Sequence, residues 1–156
     1  KLPARPPQYL ALAAELREPA RFPTDNLRHD DDTLDVLDSA LLDLSERRFG
    51  QGLARLRAIP PEHPRYPDVP YFQGLAHYEQ GAFGKAVPFL KNAANTPAYL
   101  YAEQAEWYLT LAYLHLGQIK SCQARARQIA ADDGHTYREQ AQKLLARMRK
   151  IELQSD

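Results

Sequence analysis

Three short stretches of the chain share one pattern at a near-constant spacing: Phe49-Gly-Gln-Gly52, Phe83-Gly-Lys-Ala86 and Ile119-Lys-Ser-Cys122. The first two lie 34 residues apart and the third follows after 36. Each has a bulky apolar residue, two polar or flexible positions and then a small residue. The register continues downstream through Leu56, Leu90 and Ala126, then Ile59, Ala93 and Ile129, and upstream through Leu42, Ala76 and Ala112. A period of this length is the signature of stacked supersecondary units that bury their apolar faces against one another. It predicts a scaffold of repeated helix pairs and leaves the ligand open.

With 156 residues the chain has one domain's length and enough material for a core. Its formal net charge is zero, so no global field draws it to nucleic acid or to an anionic surface. The charge is nevertheless segregated. Residues 15–46 hold ten acids and three bases, a surplus of seven negatives, and residues 120–150 hold eight bases and three acids, a surplus of five positives. Cys122 is the single cysteine, so no intrachain disulfide forms, and its repeat position asks for a small buried spacer. No apolar run reaches the roughly 18 residues of a membrane span, so direct membrane insertion of this fragment is not expected. The Pro-rich start, Leu2-Pro-Ala-Arg-Pro-Pro7, reads as a linker at which a longer protein was cut.

Turn and cap signals divide the chain. Residues 1–32 are expected to form a Pro-rich linker and a short helix (8–18) that packs on the repeats, followed by an extended stretch anchored by Phe22 and Leu27. Asp30, Asp31 and Asp32 supply negative charge for the start of the next helix. Three helix pairs then span 33–60, 69–95 and 97–131. In the first, helices 33–47 and 50–59 flank Arg48–Gly50. In the second, 69–80 and 84–95 flank Gly81. In the third, Thr96-Pro97 signals a start, Gly117 turns the chain and the partner helix covers 119–131. Thr136-x-x-Glu139 is a capping box opening a last amphipathic helix within 135–153, whose stripe is Tyr137, Ala141, Leu144, Leu145, Met148 and Ile151. No stretch alternates as a strand would. The expected fold class is all-α.

The second pair, Tyr71 to Ala93, closely resembles a tetratricopeptide repeat (TPR). Gly74, Ala76, Tyr78, Gly81, Phe83, Ala86, Leu90 and Ala93 stand where that motif has Gly, Ala, aromatic, Gly, aromatic, Ala, bulky and Ala. In the third pair Ala112, Tyr113, Gly117 and Ile129 agree, while Thr110 and Cys122 replace the usual Gly and Ala. In the first, Ala40, Phe49, Gly52, Leu56 and Ile59 fit, but Arg47 stands where the turn glycine belongs. The resemblance covers about 33–131. It implies a right-handed α-α superhelix of three helix pairs, with the 8–18 helix before it and a capping helix after it. The run Ala105–Leu114 and the Pro-rich start also resemble Bacteroidetes-type bacterial TPR proteins in which the repeats follow a transmembrane helix and a small anti-sigma-like region. That resemblance implies a membrane-anchored protein with this fragment on the periplasmic side, the cytoplasm being the alternative.

Nothing in the sequence points to catalysis, a cofactor or a metal. His29-Asp-Asp-Asp32 has ligand-type residues, but consecutive side chains diverge. His77 and His115 lie in separate repeats without metal-ligand spacing, and Asp132-Asp-Gly-His135 reads as a helix exit turn. The basic last helix (Arg138, Lys143, Arg147, Arg149, Lys150) lacks any means of base readout, so nucleic acid is not an expected partner. The resemblance implies a concave groove lined by the first helix of each pair: Leu37, Leu41, Leu44 and Ser45, then Tyr71, Leu75, Tyr78 and Glu79, then Trp107, Leu111, Leu114 and His115. Leu41, Tyr71, Leu75, Tyr78, Glu79, Trp107, Leu111 and His115 are the chief candidates for holding a protein or peptide partner by aromatic and aliphatic anchors. On that basis Trp107→Ala and Tyr78→Ala should weaken partner binding without unfolding the domain. Residues 8–28 compete for the same place, with Tyr9, Leu12, Leu16 and Phe22 as plugs. A structural or oligomerisation module and an extracytoplasmic sensory domain are the alternative functions.

Overall fold

The computed structural model describes residues 6–25, 27 and 34–155. The acidic run expected to start the first pair, and the His29–Asp32 cluster, lie outside the described residues. The described residues form eight α-helices and no strand: α1 (Pro7–Glu15), α2 (Val36–Ser45), α3 (Phe49–Ala58), α4 (Asp68–Glu79), α5 (Phe83–Ala94), α6 (Ala102–Leu116), α7 (Ile119–Ala131) and α8 (Arg138–Ser155). They belong to two compact units, Pro19–Ala93 and Lys1–Glu18 with Ala94–Asp156.

One turn recurs three times and explains the period. Arg47, Gly81 and Gly117 follow α2, α4 and α6 in the left-handed region, with φ of 62°, 75° and 71°. Each turn satisfies the helix's last carbonyls in the same way. The N–H groups of Arg47, Gly81 and Gly117 reach the carbonyls of Leu44, Tyr78 and Leu114 at 3.1, 2.9 and 3.0 Å. Those of Arg48, Ala82 and Gln118 reach Asp43, His77 and Tyr113 at 2.8, 2.9 and 2.9 Å. These are Schellman caps. The following helix begins at once, because the carbonyls of Arg48, Ala82 and Gln118 accept the N–H groups of Gly52, Ala86 and Cys122, each at 3.0 Å. The small periodic residue is therefore tied into the first turn of the second helix in all three pairs. Arg47 has a β-carbon that disfavours this backbone. Its guanidinium lies 5.2 Å above the Phe49 ring and pairs with Glu79 at 3.0 Å, which offsets part of that strain.

In the 19–93 unit, α2 packs on α3 and both meet α4. Leu37, Leu41, Leu44, Leu56, Phe72, Leu75, Tyr78 and Leu90 form its buried centre. Two close approaches depend on glycine. A methyl group at Gly52 would meet Leu44 at 2.6 Å, and one at Gly74 would meet Leu90 at 2.7 Å. Asp43, buried on α2, is clasped by Arg48 at 2.8 Å and by Arg55 of α3 at 2.7 Å. Burial alone would raise its pKa, but the hydrogen bonds from the two guanidiniums hold the carboxyl below its ordinary value.

In the other unit α6 packs on α7, α7 on α8, and α1 lies against α6 and α8. Ala141, Leu144, Met148 and Ile151 of α8 are buried, while Tyr137 and Leu145 of the expected stripe are half-buried. Cys122 is fully buried with its sulfur 4.0 Å from that of Met148. Burial pushes its thiol up to about 12, so it stays protonated and serves as filling.

Two expected start signals act differently. Thr96-Pro97 does not open α6, which begins at Ala102. Ala98 takes a φ of 53° and interrupts the helical progression, leaving turns through residues 96–101. Thr136 does not form the expected capping box. Its hydroxyl and its N–H both donate to Glu103 of α6, and that hydroxyl bond lowers the Glu103 pKa, against the opposing effect of burial.

Candidate functional site

Helices α4 and α6 bury residues on more than one side, so each must be covered by more than its own partner helix. Among the expected groove residues, Leu41, Tyr71, Leu75, Tyr78, Trp107 and Leu111 are all buried, and Glu79 and His115 are partly buried. The chain supplies the cover. In the unit holding α6, Tyr9, Leu12 and Ala13 of α1 are buried, and Leu16 is half-buried just beyond. Trp107 donates its Nε1–H to Glu18 at 2.9 Å and stacks on Tyr137 with centroids 5.6 Å apart and planes at 11°. Glu15 closes the far edge through a two-pronged pair with Arg147 of α8, at 2.9 and 2.7 Å. The hydrogen bond and charge of Arg147 hold the Glu15 carboxyl below its ordinary range, even though both side chains are about half open to water.

The 19–93 unit has a counterpart. Glu79 at the end of α4 accepts the backbone N–H of Ala20 at 3.2 Å through one oxygen and Arg47 at 3.0 Å through the other. Phe22, half-buried, stands 6.4 Å from the Phe72 ring. Here α4 receives an extended segment by its main chain. On α6 the occupant is a helix.

Tyr78, fully buried, packs edge-on against Phe83 at 5.2 Å. These aromatics are buried supports of the helix pairs, so Trp107→Ala and Tyr78→Ala, expected from the sequence to weaken partner binding without unfolding the domain, should also carry a stability cost. α1 itself has nine residues and no side-chain cap. That is short of the roughly 12–15 residues an isolated helix needs to persist in water, so docking on α6 and α8 is what keeps it helical.

A second constellation lies outside the repeat period. His63 and His135 each stand in the connector after a helix pair and use both ring nitrogens alike. Nδ1 of His63 accepts the N–H of Arg65, and Nδ1 of His135 that of Tyr137, both at 3.1 Å. The proton therefore sits on Nε2. Nε2 of His63 donates to Asp35 at 2.9 Å, and Nε2 of His135 donates to Glu106 at 2.7 Å, 28 and 29 residues back. In the intervening connector Tyr99 has the same backbone place, its N–H on Thr96 and its carbonyl receiving Ala102. The histidines pin each connector to the first helix of the pair it leaves. The signal was present as His63-Pro-Arg-Tyr66 and His135-Thr-Tyr-Arg138, but a histidine in a turn has no distinctive period. His135→Ala should lower stability by about 2 kcal/mol, because the Tyr137 N–H and the Glu106 carboxylate both lose their partner. Urea unfolding measures this, and a loss under about 0.5 kcal/mol, well below that range, would mean that water replaces the ring.

His77 stacks on Phe89 at 5.6 Å. Burial, with Lys85 and Arg57 nearby, lowers its pKa and favours the neutral ring. Among the described residues no three His, Cys, Asp or Glu side chains gather where a metal ion would fit, and no helix is long and apolar enough to cross a membrane. Comparison of the chain with protein-family models, curated proteins and solved structures finds no match.

Proposed function

We propose that the chain is a TPR-like protein-interaction module, non-catalytic and without a cofactor, whose first-helix faces dock a peptide or helix of a protein partner. The threefold Schellman turn and the buried small residues that follow it support the repeat reading. The observation that carries the docking reading is on α6. A short helix is seated there by apolar anchors and closed by the Trp107–Glu18 bond, which spans 89 residues of sequence. A surface that holds one such segment in cis has the shape and polar groups to hold one in trans.

The test uses the full chain with Leu12→Asp, which places a charge where Leu12 is now 1% exposed and so frees α1. A peptide of residues 6–20 is then titrated in, and the emission of Trp107, the single tryptophan, is followed. Saturable binding in the micromolar range, on the order of 8 kcal/mol, is the expected result. A chain whose α6 and α8 amides stay protected from hydrogen exchange, yet which gives no saturable change, would refute docking.

A further inference from the structure

The contacts that seat α1 also specify what kind of helix fits. α8 carries Arg138, Lys143, Arg147, Arg149 and Lys150 against Glu139 and Glu152, five bases to two acids, a surplus of three positives. The segment seated beside it presents Tyr9, Leu12 and Ala13 at i, i+3 and i+4, then a carboxylate at i+6 on the last residue of α1 and another at i+9 beyond its end, with Arg17 between them. Apolar anchors and acids play separate parts. The anchors are buried. The acids lie at the edge, where Glu15 takes both guanidinium arms of Arg147 and Glu18 takes the indole N–H of Trp107. Both members of the Glu15–Arg147 pair are about half exposed, at 57% and 48%. Water can therefore compete, and the pair can break and re-form without burying an uncompensated charge. The outward face of α1 leaves Leu10 47% exposed, so the helix is held from one side only.

We infer that the α6–α8 face selects a short amphipathic helix of another protein, with an aromatic-x-x-Leu-Ala anchor, a carboxylate six positions on and a second carboxylate nine positions on just past the helix end, and that the α1 segment is the resident copy of that ligand. This rests on the docking reading. α1 acts as an intramolecular competitor, and a partner helix with the same anchors and acids gains entry by displacing it. Electrostatic matching to the basic α8 speeds encounter and rejects basic helices, while the apolar anchors set residence time.

Charge reversal tests the inference on the intact chain. Arg147→Glu replaces an exposed side chain and leaves the core alone. It should speed hydrogen exchange of the α1 amides about three- to fivefold while those of α6 and α7 keep their protection, as the loss of an exposed pair allows. Adding Glu15→Arg should restore the original rates. In the Leu12→Asp chain, the 6–20 peptide bearing Glu15→Gln and Glu18→Gln should bind about tenfold more weakly than the parent peptide, a difference near 1.4 kcal/mol. Equal binding of the acidic and neutral peptides would overturn the charge selection and leave docking standing. Absence of binding by both would remove docking as well. Unchanged α1 exchange in Arg147→Glu would overturn the role of the ion pair. Sedimentation supplies the last arm: a wild-type dimer that exchanges α1 between copies would make the occupant a second copy and overturn the assignment to a foreign helix.

Discussion

Trp107→Ala is expected to destabilise the protein by about 3–5 kcal/mol, the usual cost of deleting a large aromatic from a packed interior. The ring is 3% exposed, lies flat on Tyr137 and holds Glu18 through Nε1. Its removal opens a cavity on α6, strips one face of Tyr137 and frees the end of the α1 segment. Because the change deletes the only tryptophan, unfolding is followed by circular dichroism in urea. Trp107→Phe separates the two contributions. It keeps the stack and loses the N–H donor, so it should cost only about 1–2 kcal/mol, an unmade hydrogen bond plus a small loss of area. A cost for alanine near 1 kcal/mol would mean that the indole is a surface group, and the groove reading of this position would then stand as the sequence suggested it.

Gly74→Ala is the second large effect, about 3 kcal/mol of destabilisation, at the upper end for overpacking a close contact. The added carbon would come within 2.7 and 2.8 Å of the Leu90 side chain and 3.2 Å of the Leu90 backbone nitrogen. A leucine tip alone can swing aside. The backbone nitrogen moves only if α5 moves, and α5 is held by the Schellman turn at Gly81. Gly50→Ala is the control, since nothing lies within 4 Å of a methyl group there. In the first turns of α3 it should be neutral or stabilising by up to about 1 kcal/mol, through the lost entropy of glycine in the unfolded chain. Thermal and urea midpoints of the two variants measure the contrast. Gly74→Ala with wild-type stability would show that α4 and α5 can separate without cost.

Much of the local architecture was legible. The residue at the turn position is left-handed even where it is Arg47, and the residues at the spacer positions Gly52, Ala86 and Cys122 are buried whatever their chemistry. Helix α7 begins and ends where Ile119 and the exit turn predict, at Ile119–Ala131. These features depend on contacts between residues a few positions apart, or one helix pair apart, and such contacts leave a period in the sequence. Signals with two possible uses were misread. Thr136 has a hydroxyl suited to a cap, but Glu103 of α6 lies within reach and takes it. Thr96-Pro97 has the form of a helix start, but Ala98 turns the wrong way.

The candidate site was legible only as a set of residues. Leu41, Tyr71, Leu75, Tyr78, Trp107 and Leu111 are positions that the TPR resemblance implied, and each is buried. The cover of α6 comes from Tyr9, Leu12 and Glu18, and that of α4 from Ala20 and Phe22. The sequence named that segment as a competitor and could go no further, because apolar residues at i, i+3 and i+4 state that a face will be buried and not against what. By itself, then, the sequence determined the helix pairs, their turns and their small-residue contacts, all of which are set by short-range sterics repeated along the chain. Only the tertiary structure decided that Glu15 meets Arg147 across 132 residues and Glu18 meets Trp107 across 89. Pairs so far apart carry no period, and their geometry exists only once the helices between them have packed.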